Sequence, residues 1–65
     1  MQIQLNGNTL TLDNIATVQD LLEELKLSGR LAVEVNQKIV PRSKFLSYEL
    51  KSGDTIEIVH AIGGG

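Results

Sequence analysis

Three kinds of residue in this sequence could take part in chemistry: the glycine run Gly63-Gly64-Gly65, the single histidine His60, and scattered carboxylates. Glycine has no Cβ and loses more conformational freedom on ordering than any other residue. Three in succession therefore suit a thin, extended and flexible tail, 63–65, whose carboxylate enters somewhere narrow. They do not suit a phosphate-cradling loop, because no helix follows to offer its N-terminal amides. An acid–base or nucleophilic role for His60 needs a carboxylate and a hydroxyl within hydrogen-bond reach. On an extended strand Asp54 shares the side of His60 but lies about 20 Å away, and Glu57 faces the other side. His60 therefore reads as a partly buried strand histidine. Glu23 and Glu24 are helix neighbours whose side chains diverge, and Asp13, Asp20, Glu34 and Glu49 have no metal-ligand spacing. No catalytic or metal site is expected within the chain, which leaves a binding module or a carrier rather than an enzyme.

The elements that would present the tail follow from periodicity. Met1–Asn6 alternates, with Met1, Ile3 and Leu5 on one side, as a half-buried strand does. Asn6-Gly7 is a strong two-residue hairpin signal, both residues tolerating positive φ. Thr9–Leu12 returns with Leu10 and Leu12 inward. Asp13-Asn14 breaks the strand. Thr17 followed by Asp20 three residues later predicts a helix N-terminus with a near capping box. Val18, Leu21, Leu22 and Leu25 then form one apolar stripe, Leu27 closes the last turn, and Gly29 is expected as the left-handed residue ending the helix. Leu31–Asn36 alternates again, Asn36-Gln37 turns, and Lys38-Ile39-Val40 is a short strand ended by Pro41. Arg42–Leu50 is irregular, with one 3₁₀ turn near Ser43-Lys44-Phe45, and Phe45, Leu46, Tyr48 and Leu50 are expected to lid the core. After a turn at Lys51–Asp54, Thr55 to about Ile62 is the last strand. Its parity puts Ile56 and Ile58 inward and Glu57, Val59 and Ala61 on the open face. Together with Ile62 these are the expected partner-docking residues, because an exposed apolar patch leading into a functional end suits protein contact. One sheet with one helix on a single face is an α+β fold. Residues 1–62 form the domain and 63–65 the tail.

Composition narrows the class. A chain of 65 residues buries only about 60% of its unfolded surface. With no cysteine and one histidine it lacks the residues for a disulfide or a four-ligand structural zinc, so aliphatic packing must hold it. The net charge of −2 with scattered Lys and Arg argues against nucleic acid. No apolar run approaches a membrane span of about 20 residues. No signal peptide is read at the N-terminus, and the cytoplasm is the expected location.

Three segments together resemble a known family. Val35-Asn36-Gln37-Lys38-Ile39-Val40-Pro41-Arg42 is similar to a family hairpin ending in Val-Pro-Arg. Ser52-Gly53-Asp54-Thr55-Ile56-Glu57-Ile58 is similar to its Gly-Asp turn into the last strand. Ala61-Ile62-Gly63-Gly64-Gly65 is similar to its terminus. These resemble the ubiquitin-like sulfur-carrier proteins over the whole chain, most closely the ThiS branch of thiamine (thiazole) biosynthesis. The resemblance implies a ubiquitin-like β-grasp, a mixed sheet with one helix packed on one face and the first and last strands parallel at its centre. It implies that Gly65 is adenylated by an E1-like (ThiF-like) enzyme using ATP, the carrier itself binding no cofactor. It also implies sulfur from a persulfide donor, giving a thiocarboxylate, and delivery to a thiazole synthase (ThiG-like), with Gly63 and Gly64 threading into the partner sites. Carriers of the molybdopterin, cysteine and tRNA-thiolation pathways share fold and tail. Ubiquitin-like modifiers share the activation step, so the tail alone does not separate them, and a non-covalent β-grasp adaptor is a third alternative.

Overall fold

The hairpin of β1 (Gln2–Leu5) and β2 (Asn8–Thr11) turns through Asn6 and Gly7, at φ 49° and 85°. The structure, a computed structural model, describes Met1–His60. The chain continues through α1 (Val18–Glu24), β3 (Leu31–Val35), β4 (Lys38–Val40), a 3₁₀ turn at Arg42–Lys44, and β5 (Thr55–His60). The five strands form one sheet in the order β2-β1-β5-β3-β4. β1 and β5 run parallel at its centre, Gln4 opposite Thr55 and Leu5 opposite Ile56. All other pairs are antiparallel. This is the mixed β-grasp sheet that the resemblance implies.

The helix begins where the sequence places it. Thr17 accepts the Asp20 amide on its hydroxyl at 3.2 Å, and the Asp20 carboxylate accepts the Ala16 and Thr17 amides at 3.0 and 3.1 Å. Those two backbone bonds, the Ala16 one foremost, hold the Asp20 carboxyl below the usual carboxylate range. The first two helical amides are met from outside, Val18 donating to the Tyr48 carbonyl and Gln19 to the Phe45 carbonyl. A helix start leaves its first amides without intrahelical partners, so the irregular 45–50 crossing is docked by this need.

The helix end differs from expectation. Leu25 is the C-cap, and Lys26 at φ 57° is the left-handed residue, not Gly29. The Lys26 amide donates to the Glu23 carbonyl and the Leu27 amide to Leu22, the paired bonds of a Schellman cap. Leu27 therefore lies beyond the helix, half-buried against the core.

The core lies between helix and sheet, and Ile3, Val18, Leu21, Val33, Val35 and Ile56 are its most buried members. Phe45 and Leu50 close one edge with Tyr48 half-covered, but Leu46 is 78% exposed and is no part of the lid. His60 is also exposed, not partly buried. The reason is length. A seven-residue helix spans about 10 Å, whereas the six-residue β5 runs about 20 Å, so the helix cannot cover the strand's last residue.

Candidate functional site

β5 leads directly into Ala61-Ile62-Gly63-Gly64-Gly65, and the structure secures it from both neighbours. At its start, the Asn36 amide donates to the Thr55 carbonyl at 2.7 Å, and the Asn36 side-chain oxygen accepts the Thr55 amide at 3.0 Å. Asn36 also donates to the Asp54 carboxylate at 3.0 Å, and that carboxylate accepts the Lys51 amide at 2.8 Å, closing the turn. Further along, β1 has ended, and the Asn6 side chain continues the ladder in its place. It accepts the Ile58 amide at 2.9 Å and donates to the Ile58 carbonyl at 3.2 Å. Two asparagines in left-handed turns, Asn6 and Asn36, thus hold the strand from opposite sides. Asn suits both tasks, since its short amide tolerates αL and offers a donor and an acceptor together.

The strand's parity sorts its side chains. Ile56 and Ile58 are buried, while Glu57 and Val59 stand on the open face, Val59 being 58% exposed. Val59 lies directly opposite Ala32, and Glu57 directly opposite Glu34, which in turn faces Ile39. Ile39 is 74% exposed and Ala32 is exposed too. The open face therefore carries a small apolar patch beside two facing carboxylates. Like charges directly opposite across a sheet are unfavourable, so this pair suits a site that a partner's cation covers. Ala32, Glu34 and Ile39 were not among the residues expected from the sequence. The alternation of the β3–β4 hairpin, followed across to β5, is the signal that places them there. Ala61, Ile62, Gly63, Gly64 and Gly65 lie outside the described residues.

No carboxylate faces His60 across the ladder; its partner there is Leu31. Among the described residues no group of three or more His, Asp or Glu could hold a metal, and no helix is long and apolar enough to cross a membrane. What the described surface offers is an exposed apolar patch that ends at the strand leading to the glycines.

The ThiS family model matches residues 3–65. The chain belongs to the ThiS family. It is 38% identical over 65 residues to the sulfur carrier protein ThiS of Bacillus subtilis, covering 97% of this chain and 98% of that one. A crystal structure of the thiamine biosynthesis protein ThiS from Geobacter metallireducens superposes with a TM-score of 0.87 at 32% identity, each chain covered completely. A thiazole synthase of Paramagnetospirillum magneticum matches the full chain at 41% identity over 66 residues. The chain spans only about a fifth of that enzyme's length (20%). The likeness to the solved ThiS structure agrees with the fold described above, and the family is one of small sulfur carrier proteins rather than catalysts.

Proposed function

We propose that this ThiS-family chain carries sulfur for thiazole formation in thiamine biosynthesis, with the carboxylate of Gly65 as the working group. The observation that carries this reading is that the family match extends through Gly65, on a chain whose described residues hold no acid–base constellation of their own. A carboxylate is a poor electrophile, so activation must come before sulfur. An oxygen of the Gly65 carboxylate attacks the α-phosphate of ATP in an E1-like partner, and pyrophosphate leaves. The terminal sulfur of a persulfide then attacks the acyl carbon and expels AMP. A thiol cleaves the resulting acyl disulfide, leaving the thiocarboxylate. These are acyl-transfer steps assisted by the partner's groups, and the carrier needs no cysteine because the sulfur replaces an oxygen of Gly65. The carrier binds no cofactor; ATP belongs to the activating enzyme.

Glu57, Val59, Ala61 and Ile62 make the docking edge, joined by Ala32 and Ile39 on the open face. Gly63 and Gly64 keep the last residues slender enough for a narrow site. Thiazole synthase is the proposed acceptor. Thiazole synthases from Paramagnetospirillum magneticum and Magnetococcus marinus each contain a segment that matches this whole chain, which supports physical association of the two activities. Such chemistry suits the cytoplasm, where ATP and reduced thiols are at hand.

The test is intact mass after incubation with the cognate adenylating enzyme, ATP and a persulfide source. Replacement of one oxygen by sulfur at Gly65 is the expected result. Stable adducts on lysines of other proteins would make the chain a modifier instead, and no ATP-dependent change beside a demonstrably active partner would overturn both. Gly64→Ala should leave the fold intact and cut thiocarboxylate formation by at least about tenfold, because a Cβ in a near-contact passage displaces the reacting atom.

A further inference from the structure

A second surface lies on the helix side of the sheet, at the end of the molecule where β5 stops. Leu22, Leu27, Leu31, Arg42, Phe45 and Leu46 are among the residues lining a groove of about 310 Å³. Leu31 is the residue opposite His60 in the last pair of the β3–β5 ladder, so the wall of the groove adjoins the root of the tail. Arg42 follows β4 by two residues, and its guanidinium donates to the Gly29 carbonyl across the groove. That is its one side-chain hydrogen bond among the described residues, and it leaves most of a five-donor fork unused. Arg42 is the one charged side chain in the lining; the charged residues adjacent to the lining in sequence are Lys26, Arg30 and Lys44, and the acids Asp20, engaged at the helix cap, and Glu23, bonded to Gln19. Leu46, 78% exposed, lines the same groove as Arg42. The open face behind β5 has the opposite character, with Glu34 and Glu57 facing each other.

We infer that this groove is a second docking surface for the adenylating partner, and that it receives an acidic segment of that partner carrying one apolar side chain. The inference rests on the proposed carrier function and specifies how the partner grips the chain. A site that encloses a terminal carboxylate with ATP must wall the emerging strand on both sides. The wall on the open face meets two carboxylates and Val59, so it is basic with an apolar spot. The wall on the groove side meets Arg42 and Leu46, so it is acidic with an apolar knob. A carboxylate can take the guanidinium bidentately, and the apolar knob removes Leu46 from water. Opposite charge on the two sides admits the strand in one orientation only, because the reversed orientation sets like charges against each other.

The experiment is ATP–pyrophosphate exchange by the cognate adenylating enzyme at varied concentrations of the full chain, with Arg42→Glu and Leu46→Asp compared with the unaltered protein. Arg42→Glu should raise the KM for the carrier about tenfold or more with kcat within about twofold, as expected for a docking contact remote from the chemistry. Leu46→Asp should raise it at least about fivefold. The Leu46 side chain is exposed, so Leu46→Asp keeps the fold even if loss of the Arg42–Gly29 contact in Arg42→Glu loosens the 25–30 loop; amide spectra of both variants check this. Arg42→Lys should recover a substantial part of the affinity by restoring the charge. A KM within about twofold of the unaltered chain for both Arg42→Glu and Leu46→Asp would overturn the inference while exchange itself upheld the carrier function. Concentration-dependent self-association abolished by Leu46→Asp would also overturn it, making a second copy the occupant. Absence of exchange with the unaltered chain would instead remove the carrier function on which the inference rests.

Discussion

Replacing Asn6 tests whether a side chain stands in for a missing strand. β1 ends at Leu5, and the ladder to β5 is continued by the Asn6 amide on the Ile58 backbone, with bonds of 2.9 and 3.2 Å. A net hydrogen bond of this kind contributes about 0.5–1.5 kcal/mol, so removing both costs about 1–3 kcal/mol. Asn6 also sits at φ 49°, where an ordinary side chain adds about 1–2 kcal/mol of strain. Asn6→Ala should therefore destabilise by about 2–5 kcal/mol, whereas Asn6→Gly, free of that strain, should lose about 1–3 kcal/mol. In a small domain with total stability of about 5 kcal/mol or slightly more, the alanine variant comes close to unfolding at room temperature. Urea denaturation followed by far-ultraviolet circular dichroism gives both values, and amide exchange locates the loss, since Ile58 should lose protection while Val33 in the opposite ladder keeps it. If both variants stay within about 0.5 kcal/mol of the unaltered chain, the range of an ordinary surface substitution, the side chain does not hold the strand.

Gln37 stands at φ 71° in the β3–β4 turn. Gln37→Gly relieves a left-handed side chain but frees the unfolded chain, so a net gain of about 0.5–1 kcal/mol is expected as a higher denaturation midpoint. The Asp20 carboxyl is depressed by its bonds to the Ala16 and Thr17 amides. Its contribution is therefore complete above the unfolded carboxylate value of about 3.9 and is lost as pH falls through the still lower folded value. A series of melting temperatures from pH 6 down to pH 2 should show a drop that Asp20→Asn lessens; parallel curves would count against the capping account. Val59→Asp, at a position 58% exposed on the open face, should change stability by no more than about 0.5 kcal/mol and raise the KM for the carrier in ATP–pyrophosphate exchange at least about fivefold, which intact stability with unchanged KM would contradict.

Local patterns made much of this fold legible, because the physics that sets them is local. Thr17 and Asp20 announce the helix start, Asn6-Gly7 announces a tight turn, and alternation along Thr55–His60 separates buried Ile56 and Ile58 from exposed Glu57 and Val59. The failures mark where long-range packing decides. The leucine stripe runs on through Leu25 and invites a helix reaching Gly29, yet the chain breaks at Lys26 in a left-handed cap with Leu27 tucked against the core. A lysine at that position is an uncommon residue for αL, so no local signal marks it. Leu46 looks like core by composition, but the crossing is docked through the Phe45 and Tyr48 carbonyls, which leaves Leu46 and Ser47 between them outward. The asparagine ties to β5 and the turn before it join residues 52 positions apart for Asn6 and 18 or 19 for Asn36, separations that the short windows used to read alternation along the chain do not register. For the candidate site, parity alone found Glu57 and Val59, whereas Ala32, Glu34 and Ile39 needed the sheet register.

These features meet in β5, where one six-residue strand serves three purposes that its geometry keeps apart. Its backbone bonds to a strand on each side, its Ile56 and Ile58 side chains fill the core, and Glu57 and Val59 face outward. Because successive side chains point to opposite faces, substitutions at 56 and 58 should act through stability and those at 57 and 59 through partner affinity, with little crossover. The separation fails only if register fails, since a one-residue slip exchanges the two faces and drives Glu57 into the core. That gives a physical reason for fastening this strand with Asn36 and Asp54 at its start and Asn6 near its end. Each tie blocks the slip that would bury Glu57 and Val59 and expose the core.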